Sequence, residues 1–311
     1  MKLGKIGIQD LERMMKRHGA VMLKSNRIGS DFSFMNLKGI SMVFKIEPMV
    51  YYPFLSSIEN AKLSLAFPMN DFLTSGTFPQ VAMIDMEKPM DVGKEYWDYV
   101  DSLFTLFEGK GIKIASGHTG NYENIRSGVV GSIALIGYRK PVFSYLRIRE
   151  RDAFYLIGSI GLETRYFYEK RKYGKSTISE ETLSVEKYVL PLLRVKGVHY
   201  IHDLSEGGLI RGLREVSLLT GKGFRVQYSG VKHLLSGLRY GSRVERVSSS
   251  SSGSILVSVG FRERKSFEDF VTKKGWPFTE IPVEGRGVTL DGKVAVEYDI
   301  FPDVMGLDSN K

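Results

Sequence analysis

Three acidic residues stand where predicted elements begin or end: Asp31 in IGSD, Glu47 in KIEP and Asp71 in PMNDF. Hard carboxylate oxygens converging from separate elements are the donor set that holds Mg2+ against nucleotide phosphates. Taken singly, each also fits a helix cap or a solvated charge. A second group is HDLSEGGL (His202–Leu209), between an apolar strand and a helix. There Asp203 or Ser205 is placed to cap the helix, and Glu206 lies near its start. Gly207-Gly208 would let a phosphate approach the first amides, or would merely allow close packing. The third group is SGHTGNY (Ser116–Tyr122), where Gly117, His118 and Thr119 end a strand. Small polar residues of this kind suit a loop that meets a ligand, or a tight turn.

Other chemistries are excluded. Zero cysteines remove thiol nucleophiles, iron–sulfur clusters, Cys-zinc sites and disulfides. Gly174-Lys175-Ser176 has the tail of a phosphate-binding loop, but Glu169 stands where its first glycine is needed. Gly158-Ser159-Ile160-Gly161 supplies only two glycines of a dinucleotide fingerprint. His199 and His202 lie three apart, and a strand would put them on opposite faces, which argues against a zinc pair.

The positioning elements follow from periodicity. The chain has 311 residues, 42% apolar and 25% charged, enough for a sizeable core and a prior of two domains. Helical spacing is predicted near Ile8–Met15, over 57–76 with a kink or restart at Pro68, over 94–108, over 182–193, over 207–220 and over 266–274. Strands are predicted at 39–47, 81–87, 112–116, 128–137, 154–158, 198–201, 255–259 and 278–283. Asp291-Gly292 marks a hairpin between Val288–Leu290 and Val294–Val296, and 169–176 reads as a basic mobile stretch. The first β-α-β-α-β-β run makes one unit over 1–140 and the remainder a second over 141–311. No apolar stretch approaches a membrane span and the N-terminal run has no signal-peptide core, so a soluble cytoplasmic protein is expected.

Six segments in this order resemble the aminoimidazole ribonucleotide synthase superfamily. That superfamily also holds formylglycinamidine ribonucleotide synthase, thiamine-phosphate kinase, selenophosphate synthetase and hydrogenase maturation factor E. They are GKIGIQDLERMMKRHGA, IGSDFSFMNLKGISMVFKIEP, LSLAFPMNDFLTSGTFPQ, IASGHTGNY, VHYIHDLSEGGLIRGLREV and SSSGSILVSV. The pattern looks most like the AIR synthase-related, maturation-factor-E-like branch, without that factor's C-terminal cysteine.

The resemblance implies an α/β (α+β) two-domain fold whose N-terminal sheet pairs with its twin across a dimer axis. It implies ATP in a cleft between the domains and Mg2+ on Asp31, Glu47 and Asp71. Gly117, His118, Thr119, Asp203, Glu206, Gly207 and Gly208 would face the nucleotide, with Asp71 and His118 in catalytic roles. The implied activity is phosphorylation or activation of an oxygen on a small-molecule substrate. The chain departs from the pattern at Asp31-Phe32, where many members carry two aspartates, at Glu47 and at His118. Those departures give the alternative: an inactive homologue that binds nucleotide or protein in a regulatory or assembly role. A charge of +9 favours anionic partners, yet its cations are interspersed with acids and no nucleic-acid motif is present, so nucleic acid is not an expected partner. Val43, Phe44 and Ile46 lie on a strand apolar on both faces, as a homodimer built through a buried sheet requires.

Overall fold

The computed structural model describes residues 8–237 and 241–296. The frayed end expected for GLDSNK lies outside the described residues. The first half runs α1 (Ile8–His18), β1 (Ser33–Leu37), β2 (Ile40–Tyr51), α2 (Ser57–Leu73), β3 (Val81–Lys88), α3 (Glu95–Gly109), β4 (Lys113–Asn121) and β5 (Gly128–Gly137). The second runs β6 (Ala153–Ile157), α4 (Leu162–Tyr173), α5 (Glu186–Leu192), β7 (Val198–Leu204), α6 (Gly208–Thr220), β8 (Phe224–Val226), α7 (Tyr228–Val231), α8 (Arg243–Val247), β9 (Ser254–Val259), α9 (Arg264–Lys273), β10 (Phe278–Ile281), β11 (Val288–Leu290) and β12 (Lys293–Val294).

The first sheet has the order β1-β2-β5-β3-β4. Its β1–β2 hairpin closes through Lys38-Gly39, both with positive φ (50° and 88°), as a two-residue turn matched to strand twist requires. Helix α2 starts at a capping box, Ser56 with Glu59, and packs with α3 on one face of the sheet. Strand alternation then sorts β2. Lys45 stands in a row with Leu135 and Ala82, and Glu47 in a row with Ile133 and Ile84, on the buried face under the helices. Ile46, Ala134 and Met83 form the next row outward, where Ile46 is 62% exposed.

The second sheet is antiparallel throughout, β10-β6-β9-β7, and a small sheet β12-β11-β8 lies beside it. One apolar core joins the two halves, containing Phe72 and Leu135 from the first and Tyr188, Ile201 and Val257 from the second. Asn70 ties the joint: its amide donates to the Leu183 carbonyl at 2.9 Å and accepts from the Val185 N–H at 3.0 Å. Removing both bonds strands two buried backbone groups. Asn70→Ala should therefore lower unfolding free energy by about 2–3 kcal/mol, read as a fall in the urea midpoint at unchanged slope. An unchanged midpoint would mean that the joint does not depend on this side chain.

Several predicted elements are corrected. Pro68 does not divide α2 into two helices; the buried tertiary face of Leu65, Met69 and Phe72 outweighs its missing N–H. β1 escaped prediction because Ser33–Leu37 is only half buried and does not alternate cleanly. The stretch 169–173 is the end of α4 rather than a mobile segment, and Glu169 is bonded to Arg165, Ser176 and Thr177. SGHTGNY is not a loop: strand β4 continues to Asn121 because β3 pairs with it through Lys88.

Candidate active site

The two halves bring Asp31, Asp71 and Asp203 together. Each offers a carboxylate oxygen, these oxygens lie within 4.8 Å of one another, and all three residues are buried. Asp31 precedes β1, Asp71 sits in the last turns of α2 and Asp203 is next to last in β7. Two like charges 4.8 Å apart repel by about 3 kcal/mol even at an effective dielectric of about 20. Asp71 also lies toward the negative end of the α2 dipole. Such an arrangement needs cations.

Two come from the chain itself. The Lys45 ammonium is 2.7 Å from the Glu47 carboxylate and pairs with Asp71 as well. Burial pulls Lys45 down, but Asp71 and Glu47 outweigh it and hold the ammonium above the usual lysine range. Burial pushes Glu47 up; Lys45 opposes this and Asp71 adds to it. On the other side, His202 Nδ1 is 2.6 Å from Asp31 and Nε2 is 3.3 Å from Glu215. Burial works against the imidazolium, yet Asp31 and Glu215 overcome it and raise His202 well above 6.5. The Asp203 N–H donates to the other Asp31 oxygen at 3.3 Å. Asp31 itself is pushed up by burial, with His202 opposing.

Glu47, Asp71, Asp203, Ser205 and Glu206 line one cavity of about 140 Å³ with Tyr52. That volume accommodates a phosphate group and a cation, not a nucleoside. A buried, all-oxygen, tri-carboxylate donor set fits a hard divalent ion such as Mg2+.

The N-cap position of α6 belongs to neither Asp203 nor Ser205 but to Gly207, in the left-handed region at φ 78°, and the Ser205 carbonyl accepts the Gly208 N–H. Gly208 has φ 52°, and a Cβ there would meet the Ser249 carbonyl oxygen at 2.3 Å. Gly208→Ala should cost about 1–3 kcal/mol from backbone strain alone, seen as a lowered Tm. A melt identical to wild type would show both that the left-handed backbone at 208 carries no strain for alanine and that the serine run moves aside freely.

Gly117, His118 and Thr119 lie on β4, three strands from β2, or about 14 Å. His118 opposes Asp85, which shares a row with Ser132 on the outward face. Within one chain His118 therefore does not join Asp71. It bonds instead to the Tyr122 hydroxyl at 2.9 Å and forms its own group with Asp85 and Glu87. His199 binds Asp152 at 2.7 Å while His202 binds Asp31, so the two histidines do diverge.

Sequence reasoning missed Lys45 and His202 as site residues. Lys45 was signalled by its spacing, two before Glu47 on one strand face, in a run otherwise apolar. His202 carried no comparable signal, because its partners Asp31 and Glu215 are distant in sequence.

Residues 149–281 match the family model described as AIR synthase related protein, C-terminal domain. The segment 149–281 is therefore similar to the C-terminal domain of AIR synthase-related proteins. Among curated relatives, phosphoribosylformylglycinamidine synthase subunit PurL of Alkaliphilus metalliredigens is 25% identical over 230 residues, 66% of this chain and 31% of that protein. The same subunit from Renibacterium salmoninarum is 27% identical over 285 residues, 84% of this chain and 36% of that protein. The chain thus spans about a third of the length of these relatives.

Solved structures show the same fold over nearly the whole chain. AaThiL complexed with AMPPCP and TMP superposes with TM-score 0.72 at 17% identity, covering 96% of this chain and 97% of that one. Escherichia coli HypE, a hydrogenase maturation protein, gives TM-score 0.66 at 17% identity, covering 94% and 96%. HypE in complex with ATP gives 0.65 at 16% identity, covering 94% and 96%. Among the described residues no helix is long and apolar enough to cross a membrane.

Proposed function

We propose that this AIR synthase-related chain binds ATP with Mg2+ and phosphorylates or activates an oxygen of a small-molecule substrate. The observation that carries the reading is the buried meeting of Asp31, Asp71 and Asp203 at the joint between the halves. Support comes from the shared fold with ThiL and HypE, whose structures hold AMPPCP and ATP. The two units would divide near 140.

In this reading Asp31, Asp71 and Asp203 hold the ion, with Glu47 beside them through Lys45. Bound there, Mg2+ would neutralise charge on a transferring phosphoryl group. The chain's own contribution is positional. His202 fixes Asp31 from behind, and the Asp203 amide fixes its second oxygen. Lys45 adjoins that space through its pairing with Asp71 and Glu47. Glu206, Gly207 and Gly208 sit at the cavity's α6 edge, where helix-start amides favour anions. The nucleoside extends outside the small cavity.

A homodimer completes the reading. The outward rows Phe44–Ile136–Val81 and Ile46–Ala134–Met83 present a continuous apolar sheet face that α2 and α3 leave uncovered. His118 borders that face, between Gly117 and Thr119, and would serve a nucleotide only through the pairing. Light scattering at monomer mass would remove this part.

Calorimetry of ATP and ADP, with and without Mg2+, tests the whole. Mg2+-dependent binding is the expected result. No binding at millimolar nucleotide would overturn it and favour the homologue that kept the fold without turnover.

A further inference from the structure

We propose that Asp85, Glu87 and His118 form a divalent-cation site of their own on the β3–β4 ladder, suited to a borderline ion such as Zn2+. The site does not depend on the nucleotide reading, because none of its residues belongs to the Asp31–Asp71–Asp203 group.

Parallel register builds it. Asp85 and Glu87 are two apart on β3 and so share one strand face. His118 stands opposite Asp85 on β4, and Gly120 stands opposite Glu87. Each of the three side chains offers one donor atom, and these atoms lie within 4.8 Å of one another. Ligands of a zinc ion sit about 2.0–2.2 Å from it, so a small side-chain adjustment closes the group onto one ion. Gly120 leaves room for the Glu87 carboxylate: a Cβ there would meet Glu87 Oε2 at 2.6 Å and run into the Tyr122 ring.

Independent of this spacing, the group is electrostatically incomplete. Asp85 Oδ1 and Glu87 Oε2 are closed off from water and have no hydrogen-bond partner. Withdrawing carboxylate oxygens from water without a donor is costly. The hydroxyl of Tyr96, a residue with no exposed surface, is likewise buried without a partner. Glu87 and Asp85 both act on that hydroxyl and add to burial in raising it. Burial also pushes Glu87 up; Asp85 adds to this and His118 opposes it. Lys88, the next residue on β3, donates to the Val92 carbonyl at 2.8 Å instead of neutralising the acids. A cation between the carboxylates would satisfy both orphaned oxygens and turn their repulsion into attraction. The Tyr122 hydroxyl lies 2.9 Å from His118 Nε2 and fixes the ring, as outer partners fix ligating imidazoles. One imidazole with two carboxylates suits Zn2+ better than Mg2+, and three protein ligands leave a fourth position to water.

Calorimetric titration of the untagged, metal-free chain with Zn2+ tests this, on wild type, His118→Ala, Glu87→Gln and Asp71→Asn. It is paired with NMR of isotope-labelled histidine rings. His118 is exposed, so His118→Ala should fold as wild type does. Wild type should bind Zn2+ with a shift of the His118 ring signals, assigned by their absence in His118→Ala. His118→Ala and Glu87→Gln should each weaken that binding at least tenfold, while Asp71→Asn keeps it along with the ring shift. Affinity unchanged in both His118→Ala and Glu87→Gln would overturn the proposal. So would binding lost only in Asp71→Asn, which would place the ion at the Asp31 group. No Zn2+ on wild type would overturn it as well, and a raised Tm in Glu87→Gln would then mark Asp85 and Glu87 as a pair sharing one proton.

Discussion

Asp71→Asn should abolish Mg2+-dependent nucleotide binding in calorimetry and lower any phosphate release by about a hundredfold or more. Changes to groups that only support metal ligands cost about 10–100-fold in affinity or activity, and a direct ligand should cost no less. Asp71 is the residue on which both halves of the site converge. It lies within 4.8 Å of Asp31 and Asp203 through their carboxylate oxygens, and it pairs with Lys45. Asparagine keeps its shape and one carbonyl acceptor but removes the charge that a hard ion requires. The fold should survive, because the substitution relieves repulsion among three buried carboxylates and leaves Lys45 its partner Glu47. The expected signature is therefore lost binding at unchanged or slightly raised Tm. Wild-type binding in the variant would show that Asp71 is only a structural partner of Lys45. Lost binding together with a collapsed Tm would leave the ligand role to Asp203→Asn, which stands farther from Lys45's pairing and is expected to behave the same way.

How far the sequence disclosed this site depends on the range of the contacts. Local periodicity located α2, α3, β5, β6 and α6 to within a residue or a few, because each carries an apolar stripe or run whose period matches its geometry. It found the start of β4, expected over 112–116, but not its second half, where a glycine-rich polar run reads as loop; that half owes its strand state to the ladder to β3, a partner about thirty residues away. It failed likewise at α4, whose charged end is held by Glu169 bonds to side chains and an amide beyond the helix. The acids at 31, 71 and 203 were visible by type and position, and the structure brings them together. Their compensating cations were not visible. Lys45 looked like an ordinary charge in a strand, and only the burial of its strand face makes it a site residue. His118 was read through the family pattern, which carries no information on which face of which strand a single chain presents; the register with Asp85 decides that.

His202→Leu should destabilise the protein by about 3–5 kcal/mol at neutral pH and remove a characteristic pH slope. Deleting one member of a buried ion pair leaves its partner charged and unsolvated, which accounts for a cost of that size. Here two partners are left, Asp31 and Glu215, with His202 itself 2% exposed. Arg211 retains Glu215, so the loss should fall mainly on Asp31, driving it toward its protonated form and away from metal binding. The pH sign follows from linkage. His202 has a folded-state value above its unfolded value near 6.5, so its stabilisation is fully present below about pH 6.5 and is lost as pH rises through the folded value. Between those limits the folded state binds one more proton than the unfolded state, and stability declines by about 1.4 kcal/mol per pH unit. Urea unfolding of wild type and His202→Leu between pH 6 and 9 should therefore give curves that converge as pH rises. Parallel curves would show that the imidazole is neutral in the folded protein, and that Asp31 is held in place by the Asp203 amide rather than by a cation.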